Sequence, residues 1–281
     1  MSIFFIHNDK IYKEREIVVG PDNRSFRYGD GLFETIKVTK GKIQLHNYHF
    51  ERLFSGMKKL QFEIPQYFSA SFLENKIAEL YKKNQHNAFA RVRLMVFRGN
   101  GGLYDAENNL PNYIIQSWDI EQAEELNSNG LIVDIYQEAK KSCDKFANIK
   151  HNNFLPYVMA ALHARQVKVN DCILLNSHDR ICDTTIANIF IIKDGIVYTP
   201  PLSEGCIAGV MRRFIIETLP TKFGIEEKPL SIKELENANE IFVTNSIRGI
   251  RWVAQFGEIK YTNEKVKEIY ALIHSALLKE N

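Results

Sequence analysis

Apolar and polar positions alternate with period two over residues 33–39. Glu34, Ile36 and Val38 oppose Phe33, Thr35, Lys37 and Thr39, which predicts a strand. The turn Lys40-Gly41-Lys42 leads into a second extended piece at 43–45. The period then lengthens: Phe50, Leu53, Phe54, Met57 and Leu60 recur at helical spacing and predict a helix over 46–60. A further helix is expected over about 67–83 with Phe72, Ile77 and Leu80 inward, and strands over 88–97 and 113–118. At the start of the chain, residues 3–6 and 11–12 flank Asn8-Asp9-Lys10 as a hairpin.

The pattern lapses at Glu121–Gly130, a polar stretch with Glu124-Glu125, Asn127-Ser128-Asn129 and a glycine, which reads as a linker. Beyond it come a strand at 131–136, a helix at 154–169 and buried strands at 173–175 and 189–192. The last pairs with 196–198 across Asp194-Gly195, a two-residue hairpin signal. A helix over 210–219 opens through Ala208-Gly209; strands at 240–244 and 250–254 and an amphipathic helix at 263–278 complete the chain. The expected architecture is mixed α/β in two domains, 1–120 and 130–281, joined at 121–129, with a site between them.

Composition narrows the function class. The 281 residues carry 45% hydrophobic and 25% charged residues and a net charge of +2, an ordinary soluble balance without the basic clusters of a nucleic-acid partner. The cysteines Cys143, Cys172, Cys182 and Cys206 show no metal-type spacing; no metal is expected, and they read as reduced thiols of a cytoplasmic protein. Residues 1–8 lack a basic segment followed by an apolar run and read as a first strand, and no stretch reaches the roughly 20 apolar residues of a membrane span.

The candidate chemistry gathers around one lysine and one acid. Lys150 stands between Ile149 and the Asn152-Asn153 pair that starts a helix; Asp183 ends a short strand ahead of a polar turn and another apolar strand. A lysine amine forms a Schiff base with a carbonyl, and a carboxylate pairs with a pyridinium nitrogen, the two groups that a pyridoxal phosphate (PLP) enzyme asks of its protein. Other segments suit a phosphorylated aldehyde. Arg52 lies among apolar neighbours of a helix, Gly205-Cys206-Ile207-Ala208-Gly209 opens a helix at Val210 and Met211, and Thr244-Asn245-Ser246 ends a buried strand. Arg98, in the loop Arg98-Gly99-Asn100-Gly101-Gly102, and Arg248 and Arg251 are candidates for an anionic substrate. Taken singly, each segment is equally an ordinary surface charge, loop or helix start.

In combination they carry a resemblance. Phe26-Arg27-Tyr28-Gly29-Asp30-Gly31-Leu32-Phe33-Glu34-Thr35, then His49-x-x-Arg52, Lys150, Asp183, Asn188-Ile189-Phe190 and Gly209-Val210-Met211-Arg212 resemble the class IV aminotransferase family. This is the fold-type IV group of PLP enzymes, with branched-chain aminotransferase, D-amino acid aminotransferase and 4-amino-4-deoxychorismate lyase. The resemblance runs end to end. It implies a two-domain fold like that of D-amino acid aminotransferase, PLP as cofactor, and a homodimer, for which Phe4, Phe5, Phe26 and Tyr28 are aromatic candidates to face the partner. It also implies that Lys150 is the Schiff-base lysine, that Arg52, Val210, Met211 and Ser246 hold the phosphate, and that Asp183 faces the pyridine nitrogen. Phe33 falls among the substrate-facing residues.

Three departures follow. Asp183 replaces the usual Glu, Met211 stands where branched-chain enzymes have a hydroxyl, and Phe154-Leu155 lacks the tyrosine that those enzymes carry shortly after the lysine. Ile149-Lys150-His151-Asn152-Asn153, Ala208-Gly209-Val210-Met211-Arg212 and Phe97-Arg98-Gly99-Asn100-Gly101-Gly102 are each nearer the lyase pattern. The expected reaction is therefore release of pyruvate and p-aminobenzoate, a step toward folate. Transamination of branched-chain or D-amino acids is the alternative, and an inactive binding relic the second.

Overall fold

A computed structural model describes residues 3–121 and 125–280; residues 122–124 of the expected linker lie outside the described residues. The chain divides into two compact units, Met1–Gln122 with Lys150–Asn153 and Glu280–Asn281, and Ala123–Ile149 with Phe154–Lys279. No helix among the described residues is long and apolar enough to cross a membrane.

The first unit is built from β1 (Phe4–His7), β2 (Lys10–Lys13), α1 (Arg24–Tyr28), β3 (Gly31–Thr39), β4 (Lys42–Ile43), α2 (His46–Lys59), α3 (Ala70–Lys83), β5 (Phe89–Phe97) and β6 (Asn112–Asp119). Its strands form one antiparallel sheet in the order β2-β1-β6-β5-β3-β4. The alternation in β3 has its expected result: Glu34, Ile36 and Val38 are buried, and α2 packs on β3 while α3 packs on β1 and β6. Helix α3 begins at Ala70 because the Ser69 side chain accepts from the Phe72 amide at 3.2 Å and caps it there. The short α1 escaped the hydrophobic pattern because five residues show no period; Asn23 caps its start and Gly29, at φ 66°, ends it.

Residues 150–153 pack in this unit, not with the C-terminal residues where the sequence reading put them. The Lys150 carbonyl accepts from the Phe33 amide at 2.8 Å, the Asn152 amide donates to the Gly31 carbonyl at 2.9 Å, and Leu32 and His151 form a bridge. The segment thus adds to the open edge of β3 at its start. Gly31 permits this approach, since a Cβ there would meet Asn152 Nδ2 and the Val96 carbonyl at 2.6 Å.

The second unit comprises β7 (Leu131–Lys141), α4 (Leu155–Gln166), β8 (Asp171–Asn176), β9 (Ile181–Thr184), β10 (Asn188–Lys193), β11 (Ile196–Thr199), α5 (Val210–Thr218), β12 (Ile225–Glu227), α6 (Ile232–Glu236), β13 (Glu240–Asn245), β14 (Gly249–Phe256), β15 (Ile259–Lys260) and α7 (Glu264–Glu280). Its strands run β12-β11-β10-β13-β14-β7-β8-β9, with β15 on β14. Strand β9 pairs back to β10 at Asp183 and Asn188, closing six strands into a ring. Alternate positions Leu131, Val133, Ile135, Ile173, Leu175, Ile181, Ile189, Ile191, Ile241, Val243 and Val253 form one apolar cluster. On the other face Tyr136, Cys172 and Leu174 pack against Tyr157, Ala160 and Ala164 of α4.

A register irregularity decides which face Asp183 joins. Ile181 pairs with Leu175 but Asp183 pairs with Leu174, a shift that breaks the two-residue alternation. Ile181 therefore lies in the ring cluster, while Asp183 stands with Leu174 on the α4 side.

Candidate active site

In the first unit, Lys150 is held by its backbone beside Phe33, and its Nζ lies 4.4 Å from the centre of the Phe33 ring. The guanidinium of Arg93 sits over the same ring at 3.8 Å. Arg93 pairs across the sheet with Thr35, and Phe33 with Met95, so Arg93 and Phe33 are diagonal neighbours on one face. Arg93 is half-buried, and no acid pairs with it among the described residues; burial, and then Arg91, lower its pKa. The sequence reading missed it. Its signal was an arginine inside an apolar strand, Val92-Arg93-Leu94.

On the opposite face of β3, Glu34 is 1% exposed and engages two residues one turn apart on α2. Arg52 donates to it twice, Nε at 2.8 Å and Nη2 at 2.6 Å, and His49 Nδ1 lies 2.6 Å from Oε2. Burial raises the Glu34 carboxyl, but Arg52 and His49 outweigh it and hold the pKa at about 2. Burial drives His49 the other way, below its ordinary value, so the neutral ring donates through Nδ1. Arg52, expected at a phosphate, thus has much of its donor capacity on Glu34. The sequence reading passed over Glu34 itself, although a charged residue on the face shared with Ile36 and Val38 was its signal.

Arg98 is buried, with Nε on Asn109 Oδ1 at 2.9 Å, Nη1 on Asp30 Oδ1 at 2.6 Å, Nη2 on the Leu60 carbonyl, and its plane over Phe62 at 4.4 Å. Each nitrogen makes a hydrogen bond within the fold, so this guanidinium serves as a loop anchor.

In the second unit the Asp183 carboxylate is 2% exposed and accepts three donors. The Tyr157 hydroxyl (2.9 Å) and the Ile207 amide (2.9 Å) reach Oδ2, and Asn188 Nδ2 (2.8 Å) reaches Oδ1. A carboxylate has about four acceptor positions, so one on Oδ1 is left for a further donor. The Lys141 ammonium is 3.6 Å from Oδ2 and 2.5 Å from the Tyr157 oxygen. Neither Tyr157 nor Lys141 carries a local sequence signal; the tyrosine sits two residues beyond Phe154-Leu155.

Asn188 ties the acid to the start of α5. Its Nδ2 also donates to the Ile207 carbonyl at 2.9 Å, and a Cβ on Gly209 would come within 1.9 Å of its Oδ1. The first amides of α5, Val210 and Met211, are buried and have no side-chain cap; helix geometry leaves them without intrahelical acceptors. Thr244, paired with Asn188, leads into the turn holding Ser246, where Asn245 Oδ1 accepts from the Ile247 and Arg248 amides. The vacant acceptor of Asp183 and the uncapped amides fit a pyridinium donor and a phosphate respectively.

Arg248 is exposed in that turn. Arg251, a candidate for the anionic substrate, pairs with Val243 of the ring cluster, on the face away from Asn188 and Asp183.

Residues 31–256 match the Amino-transferase class IV family. The chain belongs to the class IV aminotransferase family. It is therefore a PLP-dependent lyase or aminotransferase. It is 28% identical over 232 residues to an aminodeoxychorismate lyase of Vibrio harveyi, covering 81% of this chain and 83% of that one. It is also 28% identical over 274 residues to a Methanocaldococcus jannaschii protein named provisionally as a branched-chain-amino-acid aminotransferase, covering 93% and 91%. In fold, this class IV enzyme is similar to a branched-chain aminotransferase from Thermoproteus uzoniensis solved with norvaline, with TM-score 0.89, 21% identity, and 100% and 96% of the two chains covered. A further branched-chain amino acid aminotransferase of the same fold, at TM-score 0.87, was solved with pyridoxamine 5'-phosphate.

Proposed function

We propose that this class IV enzyme is an aminodeoxychorismate lyase, releasing pyruvate from 4-amino-4-deoxychorismate and leaving p-aminobenzoate. The observation that carries the reading is Arg93, a half-buried guanidinium without an acid partner among the described residues, sharing the Phe33 ring with the Lys150 amine. A cation so placed calls for an anion brought by the substrate, and aminodeoxychorismate brings two carboxylates where leucine or alanine brings one. The 28% identity to the Vibrio harveyi lyase and the lyase-like runs at 149–153, 208–212 and 97–102 support the choice of reaction.

PLP, when bound, supplies the aldehyde that takes up the substrate amine and a ring that accepts electrons from the adjacent carbon. Lys150 Nζ would hold the cofactor and take the proton from the amine-bearing carbon of the substrate. Arg93 binds a substrate carboxylate and Phe33 sets the ring's plane. The open acceptor of Asp183 Oδ1 would keep the pyridine nitrogen protonated, and the Val210 and Met211 amides, Ser246 and Arg52 would hold the phosphate.

Supplying aminodeoxychorismate and following p-aminobenzoate and pyruvate, beside L-leucine, L-glutamate or D-alanine with a 2-oxo acid, decides the reaction. Fast p-aminobenzoate release and slow transamination are expected. Rapid transamination without p-aminobenzoate would assign an aminotransferase instead. Arg93→Ala should raise KM about tenfold or more for aminodeoxychorismate, the loss of one charge-assisted contact.

A further inference from the structure

Asp183 does not stand alone in its unit. Lys141 is 8% exposed, and its ammonium also reaches the Ala147 carbonyl at 3.4 Å and lies 4.9 Å from the centre of the Tyr157 ring. An ammonium only donates, so at 2.5 Å the Tyr157 oxygen is its acceptor, and the Tyr157 hydrogen is directed to Asp183 Oδ2 at 2.9 Å. The result is a buried sequence of ammonium, phenol and carboxylate running from β7 through α4 to β9. The other titratable groups facing Asp183 are the thiols of Cys182 and Cys206, both raised by burial first and by Asp183 after it, Cys206 to about 12. They stay neutral in the working range. Within 4 Å, Lys141 is the charged neighbour.

We infer that Lys141 and Tyr157 are positioning residues that temper Asp183, drawing charge toward Oδ2 so that a ring nitrogen held at Oδ1 gives up its proton at lower pH than it would beside an unscreened carboxylate. This rests on the reading of Asp183 as the pyridine partner. The physical basis is that a positive charge and a hydrogen bond at one oxygen draw electron density from the other, so a donor paired there is held less strongly. A shorter Asp in place of the family's usual Glu, together with a buried cation behind it, sets the electron-withdrawing power of the ring below that of a bare acid–pyridinium pair. Tyr157 transmits the effect: its oxygen accepts from the ammonium and its hydrogen goes to the carboxylate.

The test uses the holoenzyme loaded with PLP labelled with 15N in the ring, whose chemical shift reports the nitrogen's protonation across pH. In Lys141→Met and in Tyr157→Phe the midpoint should rise by about one pH unit, the size of one charge-assisted hydrogen bond. Lys141→Arg should keep it near the wild-type value. Midpoints unchanged in both variants while Asp183→Asn shifts it would overturn the inference, and so would a wild-type nitrogen that stays protonated throughout the range in which the fold persists. If Asp183→Asn also leaves the signal unmoved, the assignment of Asp183 itself fails. Tyr157→Phe keeps the ring in the α4 packing, so it decides the matter even where Lys141→Met does not fold.

Discussion

Glu34→Gln isolates the buried charge network of the first unit. The substitution keeps the shape of the side chain but removes the anion that neutralises Arg52 and accepts from His49. Two independent routes give the magnitude. The carboxyl's pKa falls from 4.5 to about 2 on folding, which corresponds to roughly 3 kcal/mol of stabilisation. Removing one partner of a buried ion pair costs about 3–5 kcal/mol, because the other charge stays behind. The two agree near 3 kcal/mol, and for a chain of this length that lowers the melting temperature by about 6 °C.

The pH dependence gives a second, sharper test. Glu34's folded pKa lies below its unfolded value, so its contribution is fully present above 4.5 and disappears as pH falls toward 2. His49, also lowered, begins to cost stability as pH drops below its ordinary 6.5, because the unfolded chain binds a proton that the buried ring refuses. Wild type should therefore lose stability in two stages, and Glu34→Gln should flatten the lower one. Scanning calorimetry at fixed PLP concentration and several pH values measures both. A variant melting within about 1 °C of wild type near neutrality, or retaining the acid-side slope, would refute the view that Glu34 is held ionised by Arg52 and His49.

Lys150→Ala should abolish turnover, and borohydride should then fix no cofactor to the chain; mass spectrometry of the reduced wild type should place the label on Lys150. Arg98→Ala should lower the melting temperature by several degrees while leaving KM of the residual enzyme unchanged, since its nitrogens serve Asn109, Asp30 and Leu60; a raised KM with intact stability would restore it as a ligand. The stripe Leu155, Val158, Met159 and Leu162 is exposed on α4, with Leu155 at 64%, and supports a homodimer. Light scattering at micromolar concentration should give twice the chain mass, and Leu162→Asp should reduce it.

The elements were legible in the sequence where one period persisted, and the candidate site residues stood out where polar chemistry met an element boundary. The strand at 33–39, the helix after it and the Gly209-Val210 helix start all had local signals that survived into the fold. What escaped depended on pairing at long range. Nothing near Lys150 announces that 150–153 will complete the edge of β3, because the partner Gly31-Leu32-Phe33 is distant in the chain. The register shift that separates Asp183 from Ile181 is likewise invisible in a run where strict alternation puts them on one face. The anchoring of Arg98 escaped for a related reason: a glycine-rich loop looks mobile until its arginine is seen to bind three partners. The four aromatics expected at a partner split similarly, for Phe5 lies in its own unit's core while Phe26 is 76% exposed.

The buried carboxylates of the two units show how like groups are given unlike work. Glu34 has both oxygens taken by Arg52 and one shared with His49, so its charge is spent in holding a guanidinium in place. Asp183 is equally buried but carries only three hydrogen-bond donors, leaving an acceptor position that the fold itself does not fill. A buried carboxylate with unfilled capacity is costly unless a ligand completes it. Supplying that donor should then stabilise the second unit, and Asp183→Asn, which exchanges an oxygen for a donor, should weaken the hold on PLP more than it weakens the apo fold. Comparing the melting temperature with and without PLP in wild type and Asp183→Asn separates the two effects; an equal PLP-dependent gain in both would show that the fourth position of Asp183 has no part in binding.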